Sequence, residues 1–426
     1  MIGRQRKVLM DVFEAAVAAA HPGGFLKPYL PPAPKGRLIV IAAGKAGGSM
    51  AEAAAQHYRA AGLARERITG LSVARHGYNR PSDLFECIDA GHPVPDAGSL
   101  TGASRALALA ASATADDLVL VLLSGGASAN WVAPAPGLTL DDKRAITRHL
   151  LRSGAAIDEI NTVRKRLSRI KGGRLAVAAS PAEILTLAVS DVPGDDPAII
   201  GSGPTVPDPA TNAQARAIAE RYATPLGEAA RWFADDAPET PKPGDPAFAR
   251  SRFEIVMTPA RMIAAAAAAV AAQGYEPVVL GADVEGEARL VAADHARQAA
   301  ALKAAGRRAA LISGGELTVT IAGRGRGGPN QEFALALALA LDGLAGVSAL
   351  SADTDGTDGG VGLPTDPAGA VIDPTTLVRA HALGLDPATF LADNDSTGFF
   401  EAVGDILCPG PTYTNVNDLR IVLVEP

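Results

Sequence analysis

The chain has 426 residues, enough for two domains or three with a core in each. Hydrophobic residues make up 48% and charged residues 20%, which excludes a disordered chain. The balance of 39 basic against 46 acidic residues gives a net charge of -7, with no overall field to draw a polyanion, so nucleic acid is not an expected partner.

Residues 1–20 carry basic residues ahead of an apolar stretch, but Asp11 and Glu14 interrupt it, so an amphipathic helix is expected and not a signal peptide. No apolar run approaches the ~18 residues that span a bilayer, so no membrane role is expected. Continuous apolar runs predict strands over Arg37–Ala43, Leu118–Leu123 and Ile184–Ser190, each followed by a glycine-containing loop. Such runs belong to a parallel sheet covered by helices on both faces, which binds ligands at the carboxyl ends of its strands. The acidic, proline-rich stretch 235–246 reads as a linker. It places a boundary near Asp245, between a Rossmann-like domain (1–245) and a smaller α/β domain (246–426). Strands of the second series are expected at Glu254–Met257, Glu276–Leu280, Ala309–Ile312, Val347–Leu350 and Leu419–Val424, with Leu317–Ile321 as an antiparallel addition. Cys87 and Cys408 stand far apart, outside any C-x-x-C pattern; they supply neither a disulfide framework nor a zinc site, which fits a reducing cytoplasm.

Several loops carry chemistry. In AAGKAGGSM, Gly44 and Lys45 follow a strand directly and a helix opens near Gly47, so backbone N–H groups and an ammonium are offered together to an anion. The spacing fits neither the P-loop nor the dinucleotide fingerprint. Ser124, Gly125, Gly126 and Ser128 form a second strand-to-helix turn able to wrap a phosphate or carboxylate, and Ser313-Gly314-Gly315-Glu316 echoes it. Arg164, Lys165, Arg166, Arg169, Lys171 and Arg174 crowd eleven residues behind Asn161 and Thr162; some are expected at phosphate oxygens and the rest on the surface. Asp191 follows a buried strand, where a carboxylate binds Mg2+ or accepts a hydroxyl proton, while Asp195 and Asp196 suit a turn. In GRGRGGPNQEF, glycines 323, 325, 327 and 328 precede a helix opened by Asn330, an arrangement suited to a nucleotide. Asp353 and Asp355, in SADTDGTDGG, suffice for a Mg2+ whose remaining ligands are phosphate and water. GPTYTNVNDL sets Asn415 beside the last strand. His92, in AGHPVPD, is expected to be structural.

Together the blocks AAGKA, AGHPVPD, LLSGGASA, EINTVRK, SDVPGDD, SGPT, ISGGE, NQEFALAL, DTDGTDGG and TNVNDL, in this order, resemble the bacterial glycerate 2-kinase family, whose second half is known as the MOFRL domain. The resemblance spans almost the whole chain. It implies ATP- and Mg2+-dependent phosphorylation of D-glycerate at its 2-hydroxyl, in a cleft between two α/β domains. It places Lys45, Asp191 and Arg326 in catalysis, and Lys45, Ser124, Gly125, Gly126, Ser128, Asn161 and Arg164 on the substrate. The nucleotide would lie on Gly314, Gly315, Glu316, Gly327, Gly328, Asn330, Asp355, Gly356, Thr357 and Asn415, and the metal on Asp191, Asp353 and Asp355.

The sequence departs from the family at Pro329, where many members carry an arginine, leaving Arg324 or Arg326 to supply that charge. Asn130-Trp131 replaces two leucines, Arg166 a histidine and Tyr413 a glycine. The expected partners are a hydroxy acid and ATP, with a homodimer as one assembly. Some family members carry an older hydroxypyruvate reductase label, so that activity and a non-catalytic nucleotide sensor are the alternatives.

Overall fold

A computed structural model describes residues 2–360 and 363–426. The chain folds as two compact units, Phe25–Val256 and Met1–Gly24 with Met257–Pro426. The expected division at Asp245 therefore shifts in two ways. The strand around Glu254 completes the first sheet instead of opening the second, and the helix Ile2–Ala20 joins the unit built by the end of the chain.

The unit 25–256 is built on a six-stranded sheet of β1 (Leu38–Ala43), β2 (Ile68–Arg75), β3 (Glu86–Ala90), β4 (Leu118–Leu123), β5 (Glu183–Val189) and β6 (Ser251–Met257), in the order β3-β2-β1-β4-β5-β6. β1 pairs in parallel with β2 and β4, β2 with β3, and β4 with β5. Every residue of β1 and β4 is buried, as continuous apolar runs require of central strands covered on both faces. On one face Ile39, Ile41, Val119, Val121 and Ile184 meet Ala103, Ala106 and Ala110 of the helix Ala97–Ala111. The small alanines let that helix approach the sheet closely. Asp96 caps it, accepting the Ser99 N–H at 3.1 Å.

The other unit carries β7 (Glu276–Gly281), β8 (Ala309–Ser313), β9 (Val347–Asp353), β10 (Gly369–Ile372), β11 (Ile406–Leu407) and β12 (Asp418–Val424), in the order β11-β10-β9-β12-β8-β7. β7 pairs with β8 in parallel, whereas β8 with β12, β12 with β9, β9 with β10 and β10 with β11 are antiparallel. Helices Ala288–Ala304 and Pro329–Leu341 cover the face presented by Leu311, Val347, Ala349, Val422 and Val424. Helices Ile2–Ala20 and Pro259–Ala272 pack on each other and on strands of the same sheet. Gln5 secures the first of these, donating to Gly346 O at 2.9 Å and accepting from Ser348 Oγ at 3.0 Å. Leu317–Ile321 alternates in sequence but forms no strand: it makes one bridge, Glu287 with Thr318, and that bridge is parallel. No helix among the described residues is long and apolar enough to cross a membrane.

Candidate active site

In the first sheet the strand order reverses between β1 and β4, and ligands of open α/β sheets bind where it does, at the carboxyl ends. The turns there are Gly44-Lys45 after β1 and Ser124-Gly125-Gly126 after β4, with Asp191 two residues beyond the end of β5. The first two turns are stitched together. The N–H groups of Gly44, Lys45 and Ala46 donate to Val73 O (3.1 Å), Gly125 O (2.8 Å) and Ser124 Oγ (2.8 Å). The backbone donors of Gly44, Lys45 and Ala46 are thus spent inside the protein, and Ser124, fully buried, latches the two loops together. What this turn offers is the Lys45 side chain. Gly44 adopts a φ of 110°, and a Cβ there would collide with Ser124, so only glycine allows the two loops to meet.

Beyond Gly126 lies a cavity of about 380 Å³ within this unit. His92, Gly126, Ser128, Lys143, Arg164 and Lys171 line its polar part, with Val94, Val132 and Leu151 among its apolar walls. His92, expected to be structural, is a wall: a Cβ on Gly126 would sit 2.9 Å from its Cδ2 and 3.5 Å from Lys45 Cγ. Ser128 Oγ lies 2.8 Å from Ser202 Oγ, which donates to Asn161 Oδ1 at 3.1 Å, so a hydroxyl relay ties two expected substrate ligands together. Lys171 Nζ donates to Ser128 O at 2.8 Å and Lys143 Nζ to Leu167 O at 2.7 Å. Burial, with Arg164 and Arg174 nearby, pushes the Lys143 ammonium down to about 7; burial, with Lys143 and Arg164, lowers Lys171 well below the lysine range. Lys143 was not anticipated, because the helix Leu140–Arg152 is polar overall. Its signal was position: it shares the buried stripe of Ile146 and Leu150.

The cationic run divides in two. Arg164 and Lys171 face the cavity, whereas Lys165 and Arg166 turn into the protein. Arg166 donates to Asp208 Oδ2 at 3.1 Å and also binds Thr240 Oγ1 and Ala210 O; Lys165 stands 3.5 Å from Asp208. The cations expected on the surface are therefore partly a buried ion pair, and the arginine at the family's histidine position is the centre of it. Asp196 forms the expected turn, accepting the Ala198 N–H at 2.8 Å.

In the second unit the helix Pro329–Leu341 calls for an anion at its start, and the chain supplies its own. Asp358 accepts the N–H groups of Asn330 (3.0 Å) and Gln331 (2.8 Å) and the Gln331 amide (3.0 Å). Asn330 also donates to Asp418 Oδ1 at 2.7 Å and accepts from Ser351 Oγ at 2.7 Å, so it belongs to a buried network and is not a nucleotide ligand. Burial raises Asp358 to about 7, against the lowering by these donors, and raises Asp418 to about 6. Arg420, fully buried, donates to Asp418 Oδ2 (3.0 Å), Ser313 Oγ (3.0 Å), Gly315 O (3.2 Å) and Gly314 O. The Ser313–Gly315 turn is thereby held from beneath by a residue the sequence did not single out. His295 Nε2 lies 2.9 Å from Ser313 Oγ, and burial pushes this imidazole down to about 4.

The glycines of GRGRGGP serve contact with the protein. The N–H groups of Gly325 and Arg326 donate to Asp393 O (2.8 Å) and Asp395 Oδ1 (3.0 Å), and a Cβ on Gly323 or Gly325 would strike that same turn. Arg326, expected in catalysis, pairs on the surface with Glu401 at 2.7 Å. Arg326→Ala is therefore expected to change kcat by less than about threefold in a steady-state assay, the loss of an exposed pair being worth roughly 0–1 kcal/mol.

Asp353 Oδ1 accepts the Asp355 N–H at 2.8 Å, and Asp355 Oδ1 accepts the N–H (2.8 Å) and hydroxyl (3.0 Å) of Thr357. Each carboxylate thus commits one oxygen to its own turn, a donor set that fits a Mg2+ needing one or two carboxylates. Among the described residues no three His, Cys, Asp or Glu side chains gather as a metal cluster. Thr354 Oγ1 joins this loop to the Asn415 segment, donating to Asn417 O at 2.6 Å and accepting the Val416 N–H at 3.0 Å. Tyr413 has a φ of 59°, the left-handed conformation that explains a glycine at this position in the family.

Residues 8–232 match the family model described as a domain of unknown function, DUF4147, and residues 309–418 match the MOFRL family. A D-glycerate 2-kinase from Thermotoga maritima is 37% identical over 98% of both chains. A protein from Agrobacterium vitis with the provisional name hydroxypyruvate reductase is 44% identical, over 98% of this chain and 94% of its own. The crystal structure of a Thermotoga maritima glycerate kinase superposes with a TM-score of 0.87 at 36% identity, covering 99% of this chain and all of that one. Full-length identity, the paired domains and the shared fold make this chain a member of the glycerate 2-kinase family that ends in a MOFRL domain.

Proposed function

We propose that the protein transfers the γ-phosphate of ATP to the 2-hydroxyl of D-glycerate, giving 2-phosphoglycerate and ADP. The observation that supports this is a cavity beside the strand-order reversal whose lining carries Lys143, Arg164 and Lys171 and no carboxylate, with the Gly44-Lys45 turn latched to the Ser124-Gly125-Gly126 turn that walls it. That arrangement suits an anionic substrate and a transferring phosphoryl group. The glycine spacing of this turn is not that of the dinucleotide fingerprint, which counts against a nicotinamide site.

Lys45 steadies the reacting groups, Arg164 and the Ser128–Ser202–Asn161 relay hold the hydroxy acid, and Asp191 orients or deprotonates its 2-hydroxyl. The loops Gly314–Glu316 and Gly356-Thr357, with Asn415, carry the nucleotide. Mg2+ arriving with it would neutralise phosphate charge, and Asp353 and Asp355 are the residues to hold that ion. Positioning and electrostatics supply most of the catalysis. The two separate free cysteines suit a reducing compartment.

Purified protein given ATP, Mg2+ and D-glycerate should yield 2-phosphoglycerate by 31P NMR. Oxidation of NADH by hydroxypyruvate without any phosphorylated product would establish the reductase instead, and ATP binding without transfer would leave a sensor.

A further inference from the structure

The cavity behind Gly126 gathers more basic side chains than one carboxylate requires. Lys143, Arg164 and Lys171 line it, and its walls contain no aspartate or glutamate. Lys143 is 7% exposed and Lys171 2%, and each ammonium bonds one backbone carbonyl. An ammonium has three donors, so both keep capacity directed at a ligand. Arg164 is largely buried and has no ion-pair partner among the described residues. Arg144 is occupied elsewhere, donating to Pro95 O at 3.0 Å and pairing with Asp141 at 2.8 Å.

Burial drives Lys143 and Lys171 toward their neutral forms, and an anion that joins them restores both ammoniums beside Arg164. A hydroxy acid brings a single negative charge, whereas a phosphate monoester brings about -1.5 to -2 at neutral pH and three acceptor oxygens. A cavity of about 380 Å³ also exceeds what a three-carbon acid fills.

We propose that Lys143, Arg164 and Lys171 form a phosphate receptor, which holds the phosphorylated product more tightly than the hydroxy acid it came from. The identity of that product rests on the proposed function; the receptor for a phosphate dianion does not. Val132, buried, walls the inner side of the cavity, while Val94 and Leu151, both more than half exposed, form its rim. Product release then limits turnover, and accumulated product competes with the hydroxy acid.

Calorimetry on the whole, nucleotide-free protein tests this with three probes: inorganic phosphate, D-glycerate and 2-phosphoglycerate. The phosphorylated acid should bind on the order of tenfold more tightly than D-glycerate, and inorganic phosphate should compete with it. Lys143→Gln and Arg164→Gln should each weaken phosphate and 2-phosphoglycerate on the order of tenfold, with urea unfolding confirming that the variants fold. Two variants are used because either lysine or arginine also contributes to packing. Equal affinity for the phosphorylated and free acids, or phosphate binding unchanged in both variants, would overturn the receptor. Turnover of D-glycerate with no phosphate binding would count against this inference alone, and phosphate binding without turnover against the kinase assignment alone.

Discussion

A Lys45→Ala enzyme is expected to lose about 10²- to 10³-fold in kcat/KM while melting within about 2 °C of its parent, the loss typical of removing one positioned charge donor. The physical reason is the way the first turn is used. Gly44, Lys45 and Ala46 give their backbone donors to Val73, Gly125 and Ser124, and Lys45→Ala leaves these bonds in place. Its Cγ lies 3.5 Å from where a Cβ on Gly126 would stand. Folding and chemistry are therefore separable at this residue. Steady-state kinetics beside a thermal melt would measure both, and an alanine variant with ordinary turnover would remove Lys45 from the mechanism.

The largest effect on stability is expected at Arg420→Met, about 3–5 kcal/mol measured by urea unfolding. The guanidinium serves Asp418, Ser313, Gly314 and Gly315 from a fully buried position, and methionine keeps much of its volume with none of its donors. Asp418 would be left without its cation in a site where burial already raises it to about 6. Pairing the change with Asp418→Asn should restore part of the loss, because no charge then remains unpaired. If Arg420 acted only on stability, KM for ATP would stay unchanged in the folded fraction. Because it holds the Gly314 and Gly315 carbonyls, KM for ATP should rise on the order of tenfold at unchanged KM for D-glycerate.

The central strands were legible because both faces are covered: β1, β4 and β5 are nearly unbroken apolar runs, and each was placed within a residue. β2 and β3 were not. Gly70 interrupts the first, and the second is a half-exposed edge carrying Glu86 and Asp89. Apolar content also says nothing about partners, which is why the segment at Glu254 was given to the wrong sheet. At the site, loops after strands were found from glycine and charge, but not the direction in which each polar group points. Asn330 and Arg326 look equally available in sequence; one is sealed under Asp358 and Asp418 and the other lies on the surface with Glu401. Lys143 went unnoticed for the converse reason: on a helix with two aspartates, three arginines and a histidine, only its alignment with Ile146 and Leu150 marks it as inward.

The helix Ile2–Ala20 packs with residues after Met257, so the entire substrate-side unit is inserted within the other one. During synthesis the leading helix must wait, its apolar stripe of Leu9, Val12, Phe13 and Ala16 uncovered, until the last strands leave the ribosome. Cutting the gene at the interdomain linker would consequently deliver one fragment with a sticky orphan helix and another with a bare sheet face, and fragments meant for separate study should be divided at the two crossing points near residues 24 and 257.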